Sequence, residues 1–318
     1  MKLRGIGVSL MSCDAVSRLE RLKEKLARVC EAGFDTVEIP ITGLQIIRNG
    51  EIDAGRLDAY AELLQSFDLH YTLHAPFDLN LFRPDDPAFE KKLFLASLEA
   101  TGALGGEVMV YHVGRYVGEE QFLFPHTWPL HTSLQKQQLL KEEEAFLRQA
   151  GDRAEQLNVD IGMENMRPYL ECPDYCYSVL PGALAKQVAA IDHPRVGIAL
   201  DVGHLYLSMG MYGLDLQQEM AAILPHVTHL HIHDNYGKPS FSTEKNQFEL
   251  LPLGRGDMHM PIGEGLVPME TIAQQLVKSE REVYMIHEIR EKYESDWVYL
   301  SETYKDLRSF VGKAAVFG

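Results

Sequence analysis

The chain of 318 residues is short of several things, and each shortage excludes something. It has no apolar run of about 18 residues or more, so no segment reads as a membrane-spanning helix. Cysteine is scarce. Four residues make no disulfide framework, and Cys172 and Cys176, four apart, lack the spacing of a zinc knuckle. All four read as reduced thiols of a cytoplasmic protein. Base is scarce beside acid: 30 Lys and Arg face 46 Asp and Glu, a formal charge of −16. That balance argues against a nucleic-acid partner, which needs a basic footprint. The glycine-rich dinucleotide fingerprint is missing after the first strand-like run, which argues against a doubly wound sheet. The apolar stretch Gly5–Leu10 is shorter than the roughly 7–15 residues of a signal peptide core, so it reads as a first strand. No low-complexity tract or linker divides the chain, and residues 1–318 read as one domain.

What is present is alternation. Strand-like runs occur at Leu3–Leu10, Thr36–Ile41, His70–His74, Val108–Val113, Val159–Glu164, Val196–Asp201, Val227–His233 and Glu282–Glu288. Between them lie helical patterns at Ser17–Glu31, Asp53–Phe67, Asp86–Leu104, Leu134–Leu157, Ser178–Ile191, Gly213–Leu224 and Pro268–Ser279, and a last one runs over Ser295–Phe310. Gly33, Gly102 and Gly151 are placed as helix stops. Eight strands alternating with eight helices predict an α/β fold, a parallel (β/α)8 TIM barrel. Three long segments, Gly114–Ser133, Met166–Tyr177 and Asn235–Ile262, each follow a strand, which puts them over the C-terminal face where such barrels keep their active sites.

The strand ends carry the chemistry. Six consecutive strands finish in His, Asp or Glu: His74, His112, Glu164, Asp201, the alternating set His229, His231 and His233, and Glu288. His204 and the pair Asp257 and His259 follow just past strand ends. Unpaired buried charge is costly, so imidazoles and carboxylates repeated on one rim point to divalent cations. Of the three alternating histidines, which face the same way, one is expected as a ligand and another behind it. His70, His126, His131, His193 and His226 read as ordinary core or surface histidines.

The segments Leu73-His74-Ala75-Pro76, Met163-Glu164-Asn165-Met166, Leu200-Asp201-Val202-Gly203-His204, His231-Ile232-His233-Asp234-Asn235 and Asp257-Met258-His259, in this order, resemble the xylose isomerase-like TIM barrels. That superfamily holds sugar isomerases and epimerases and endonuclease IV (AP endonuclease family 2). The resemblance implies up to three metals. His74, His112 and Glu164 match the ligands of the first, and Glu164, Asp201, His231 and Glu288 those of the second. His204, Asp257 and His259 match those of the third. It also implies that Glu164 and Glu288 move a proton beside a carbonyl, and His204 joins them as a catalytic candidate.

Two activities follow as expectations. The first is a metal-dependent isomerase or epimerase of a small sugar or sugar phosphate, working by proton transfer. The alternative is a metal-dependent hydrolase of a phosphodiester or amide bond; a non-catalytic binding barrel ranks third. The imidazole-rich positions suit zinc and the carboxylate-rich second position suits manganese, with one to three ions per chain. The long segments are aromatic rather than basic, with Tyr116, Phe122, Phe124 and Trp128 in one and Tyr236, Phe241 and Phe248 in another, which suits a small-molecule partner over a nucleic acid. Arg115, Trp128, Arg167, Lys238, Arg255 and His233 are the expected substrate-binding residues, with Arg290 as a further candidate cation.

Overall fold

A computed structural model describes all residues except 12, 245, 291–296 and 317–318. Eight parallel strands close a barrel: β1 (Lys2–Ser9), β2 (Thr36–Pro40), β3 (His70–His74), β4 (Gly106–His112), β5 (Asp160–Glu164), β6 (Val196–Asp201), β7 (Val227–Ile232) and β8 (Glu282–His287). Each strand pairs with its sequence neighbours, and β8 pairs with β1. Around them lie α1 (Leu19–Ala32), α2 (Ala54–Gln65), α3 (Pro87–Ala103), α4 (Ser133–Leu157), α5 (Pro181–Ile191), α6 (Val202–Tyr212), α7 (Leu216–Ile223), α8 (Met269–Leu276) and α9 (Trp297–Val316). A two-stranded hairpin of Ile47–Arg48 and Glu51–Ile52 precedes α2. No described helix is long and apolar enough to cross a membrane, and the four cysteines are free.

Period-two alternation divides each strand between two cores. Outward residues such as Val37, Leu73, Met109, Tyr111, Met163, Leu200, Leu230 and Met285 join the large core beneath the helices. Inward residues Val108, Val110, Ala199, Tyr284 and Ile286 form a small apolar plug inside the barrel. Two residues further along the same strands, the inward positions become His112 on β4, Asp201 on β6 and, just past β8, Glu288. Thus on β4, β6 and β8 the barrel interior is apolar at mid-height and ionisable at the C-terminal rim.

Three expectations need correction. A helix was not expected at Val202–Tyr212, yet α6 starts at the residue after β6. Asp201 ends the strand and caps the helix, its carboxylate accepting from the His204 amide at 2.7 Å, so no loop marks the junction. Its many buried residues also mute the polar-apolar contrast that betrays a surface helix. Gly151 is no helix stop but lies within α4, where an added Cβ would stand 2.5 Å from the His193 ring. Gly33 does close α1, in the left-handed region at φ 98°. The Asn235–Ile262 segment holds a short helix, Gln247–Leu253, and Gly114–Ser133 holds two 3-10 turns. The expected start of the last helix, Ser295, lies outside the described residues.

Candidate metal centre

The nine rim residues singled out by sequence converge, and a tenth joins them. Their ligand-type atoms fall into groups lying within 4.8 Å of one another: His74, His112 and Glu164; Glu164, Asp201, His231 and Glu288; and His204, His233, Asp257 and His259. Glu164 is shared. Its Oε2 lies 3.4 Å from His74 Nε2 and 3.2 Å from His112 Nε2. Its Oε1 lies 3.4 Å from His231 Nδ1, which is also 3.3 Å from Glu288 Oε2. In the third group Asp257 Oδ2 lies 2.8 Å from His259 Nε2 and 3.3 Å from His204 Nε2. His233 Nε2 stands 3.1 Å from Asp201 Oδ2 and 3.7 Å from Asp257 Oδ1.

Local structure aims these groups. Asn165 binds the Asp201 backbone with both ends of its amide: Nδ2 donates to the Asp201 carbonyl at 2.9 Å and Oδ1 accepts from the Asp201 amide at 2.8 Å. The end of β5, with Glu164, is thereby fixed against the end of β6. Asp234 anchors the return of the long segment after β7. Its backbone pairs with Met260, and its carboxylate accepts from the amides of Asn235, Gly263 and Val267. Asp257 and His259 are thus delivered to the rim beside a fixed point. His259 reaches it in the left-handed region at φ 45°, an unfavourable conformation for this side chain of the kind that gathers at functional sites. An added Cβ at Gly203 would stand 2.0 Å from the His233 ring, so that close packing needs glycine.

The electrostatics fit cations. Burial alone would raise the Glu164 and Asp257 carboxyls, but neighbouring imidazoles outweigh it and hold both well below the ordinary range. Asp201 is lowered in the same way, by His204 and His233. Burial would lower the His204 imidazole, yet Asp201 and Asp257 push it up to about 10. His231 and His233 are also raised against their burial, by the carboxylates facing them. Buried carboxylate oxygens Asp257 Oδ1 and Glu288 Oε2 have no hydrogen-bond donor. Nitrogen and oxygen donors, enclosed and incompletely satisfied, make a donor set that fits divalent metal.

A cavity of about 240 Å³ opens above the groups. Glu164, His204, Asp257 and Glu288 contribute to its floor, and Arg167, Arg290, Phe77, Tyr169 and Phe241 line it with the acids Asp78, Glu119 and Glu244. Arg167 is held there by Tyr169 Oη at 2.5 Å and by Glu119 at 3.5 Å, and it stands 3.6 Å from Asp257.

The other expected substrate contacts lie elsewhere. Arg115 is buried beneath the loops, its guanidinium donating to the Phe77 and Leu79 carbonyls at 2.8 and 3.1 Å. Trp128 packs its own loop down and donates Nε1–H to the Gln121 carbonyl at 2.8 Å. Lys238 is exposed, and Arg255 pairs with Glu244. His233 lies fully buried below the cavity. Phe122 packs edge-on against Tyr169 and Tyr175. Sequence reasoning missed Glu38, Asn165, Tyr169 and Asp234. Glu38 had a signal, an acid in the middle of an apolar strand. His287, next to Glu288, faces away from the rim, and burial drops its imidazole to about 3.

A closed parallel barrel with imidazoles and carboxylates grouped on its C-terminal rim defines the class: a TIM barrel with a candidate multi-ligand metal centre. More particularly, the profile of the xylose isomerase-like TIM barrel family matches residues 26–307, and the chain belongs to that family. An uncharacterized protein of Methanocaldococcus jannaschii is 25% identical over 224 residues, 70% of this chain and 71% of that one. Among solved structures, an L-ribulose 3-epimerase superposes with a TM-score of 0.68 at 13% identity, covering 99% of this chain and 96% of that one. A xylose isomerase-like TIM barrel protein from Mycobacterium smegmatis, solved in complex with magnesium, gives 0.65 at 14% identity, covering 98% and 97%.

Proposed function

We propose that the protein is a divalent-metal-dependent isomerase or epimerase of a small sugar-like substrate. One observation carries this reading. Glu164 and Glu288 both line the cavity, from the ends of β5 and β8, and the strand order puts β6 and β7 between them. A substrate carbon seated above His231 has a carboxylate on either side. Glu164 is held ionised by its imidazole neighbours and is suited to accept a proton. When one carboxylate removes the proton from a carbon beside a carbonyl and the other returns one to the opposite face, the centre inverts. Return to the neighbouring carbon moves the carbonyl instead.

Glu164, Asp201, His231 and Glu288 would hold the metal nearest this pair, His74, His112 and Glu164 a second, and His204, His233, Asp257 and His259 a further ion. A bound divalent ion supplies Lewis acidity, polarising a carbonyl and its neighbouring hydroxyl so that the proton beside them becomes removable. Zinc suits the imidazole-rich groups and manganese the carboxylate-rich one. Both His204 nitrogens are engaged, Nδ1 with the Asn165 carbonyl at 2.9 Å and Nε2 beside Asp257, which favours a ligand role over proton transfer. The cavity is below the roughly 300–1,000 Å³ of drug-sized sites. Its acids outnumber its two arginines, which supports a small uncharged polyol over a nucleic acid.

The third group favours a second reading, hydrolysis at paired metals. Solvent isotopes separate the two. With a panel of ketoses in deuterium oxide, isomerase chemistry places deuterium on a substrate carbon. With phosphodiesters and amides in ¹⁸O-water instead, enzyme-dependent ¹⁸O in the released phosphate or carboxylate, without carbon-bound deuterium from the ketoses, would establish hydrolysis.

A further inference from the structure

Four rim histidines are held alike. Nδ1 donates to a backbone carbonyl, from His74 to Ala75 at 2.8 Å, His112 to Phe77 at 3.2 Å, His204 to Asn165 at 2.9 Å and His259 to Glu288 at 3.0 Å. A carbonyl only accepts, so each Nδ1 carries a proton and Nε2 is the nitrogen turned to the rim. His231 is turned the other way. Its Nδ1 faces Glu164 and Glu288, and its Nε2 points down the barrel in an ion-pair contact 2.9 Å from Glu38 Oε1, neither of these two atoms being in a hydrogen bond. The reason is positional. The other four stand at strand ends or in the segments beyond them, where a carbonyl is free. His231 lies within β7, paired with β6 on one side and β8 on the other, so the nearby carbonyls belong to the sheet.

The barrel supplies a carboxylate instead. Glu38 sits wholly buried in the middle of β2. Its Oε2 accepts from Thr72 Oγ1 at 3.1 Å and lies 3.0 Å from His229 Nε2, and among the described residues no Lys or Arg pairs with it. Burying an acid without a cation is expensive, and nothing in the apolar plug beside it requires one.

We infer that Glu38 is the positioning residue for the central metal ligand: its carboxylate sets a negative charge behind the ring, which favours a proton on His231 Nε2 and leaves Nδ1 as the donor to metal. Carboxylates placed behind metal-ligating histidines act in this way. The inference rests on the metal reading above but concerns affinity rather than turnover. Thr72 and His229 are the outer supports that hold Glu38 in turn.

The test is metal binding by Glu38→Gln, which keeps the shape and removes the charge. Zinc and manganese affinities are read by competition with a chromophoric chelator, equivalents by elemental analysis, and folding by thermal melting of the metal-free protein. The expected result is one equivalent weakened by about 10–100-fold and regained at saturating metal, the remaining equivalents unchanged, and a melting temperature near wild type. Thr72→Val should weaken the same equivalent by a smaller factor, which keeps the inference testable should Glu38→Gln not fold. Wild-type affinity in both variants overturns it. So does a uniform loss of all equivalents that tracks a lower melting temperature, since that marks a purely structural role. An equivalent that never returns at saturating metal makes Glu38 a ligand in its own right and overturns it too. Wild-type protein that binds no metal would instead sink the functional reading.

Discussion

On three strands of the barrel, two layers one inward position apart have opposite chemistry. On β4 the step runs from Val110 to His112, on β6 from Ala199 to Asp201, and on the β8 line from Ile286 to Glu288. Backbone, pairing and direction are shared, so the difference lies in side chains alone. The lower layer removes apolar surface from water and holds the strands at fixed spacing. The upper layer sets carboxylates against imidazoles at close range, and it depends on the lower one for geometry. Stability and activity should therefore separate at a boundary one side chain thick.

The sharpest test of that boundary is in the upper layer. Glu164→Gln and Glu288→Gln should each lower kcat by about 10²–10⁴-fold, the usual contribution of a positioned acid or base, while the melting temperature holds. A double variant with full turnover would break the assignment. In the lower layer, Ile286→Ala should cost about 2–5 kcal/mol in denaturant unfolding and leave the number of bound metal equivalents unchanged. Loss of metal at intact stability would mean that the two layers are not separable.

A smaller, graded effect comes from pH. His204, raised to about 10 by Asp201 and Asp257, keeps its proton through neutrality in the metal-free protein. Its contribution to stability is complete below the unfolded imidazole value near 6.5 and is lost as pH rises toward 10. The Asp201 and Asp257 contributions, with lowered folded values, are present above their unfolded value near 4 and are lost as pH falls. Metal-free protein should therefore be most stable between roughly pH 4.5 and 6.5 as far as these groups decide. Metal must displace the protons, so affinity should rise with pH, and binding at pH 7 should release at least about one proton. Calorimetry in buffers of different ionisation enthalpy reads that release, and binding with none would show that the ligands are already neutral.

Legibility in the sequence followed the same division. The rim could be read because ionisable residues recur at one position of a repeating unit, and the strands because their apolar runs are bounded. Glu38 is harder to read because it lies inside a strand, where a single acid breaks no repeating pattern. α6 was passed over because Asp201 serves as strand end and helix cap at once. The loop cations misled for another reason. A sequence shows that Arg115 is charged but not that its guanidinium turns inward to the Phe77 and Leu79 carbonyls. Direction within a loop is set by tertiary partners, and no period records it. His233 shows the limit of alternation: it shares a face with His231 but stands one pleat higher, beside Asp257 rather than Glu164.

The clasp between Asp234 and Met260 bears on how such a molecule can diversify. Asp257 and His259 sit immediately before the fastened point, whereas Phe241 and Glu244, which face the cavity, hang on the stretch ahead of them. That stretch can be lengthened, trimmed or swapped while the clasp keeps the two metal-facing residues in register. The part that chooses a guest and the part that holds the reagent can then be inherited separately, and new selectivities are open to descendants without rebuilding the centre.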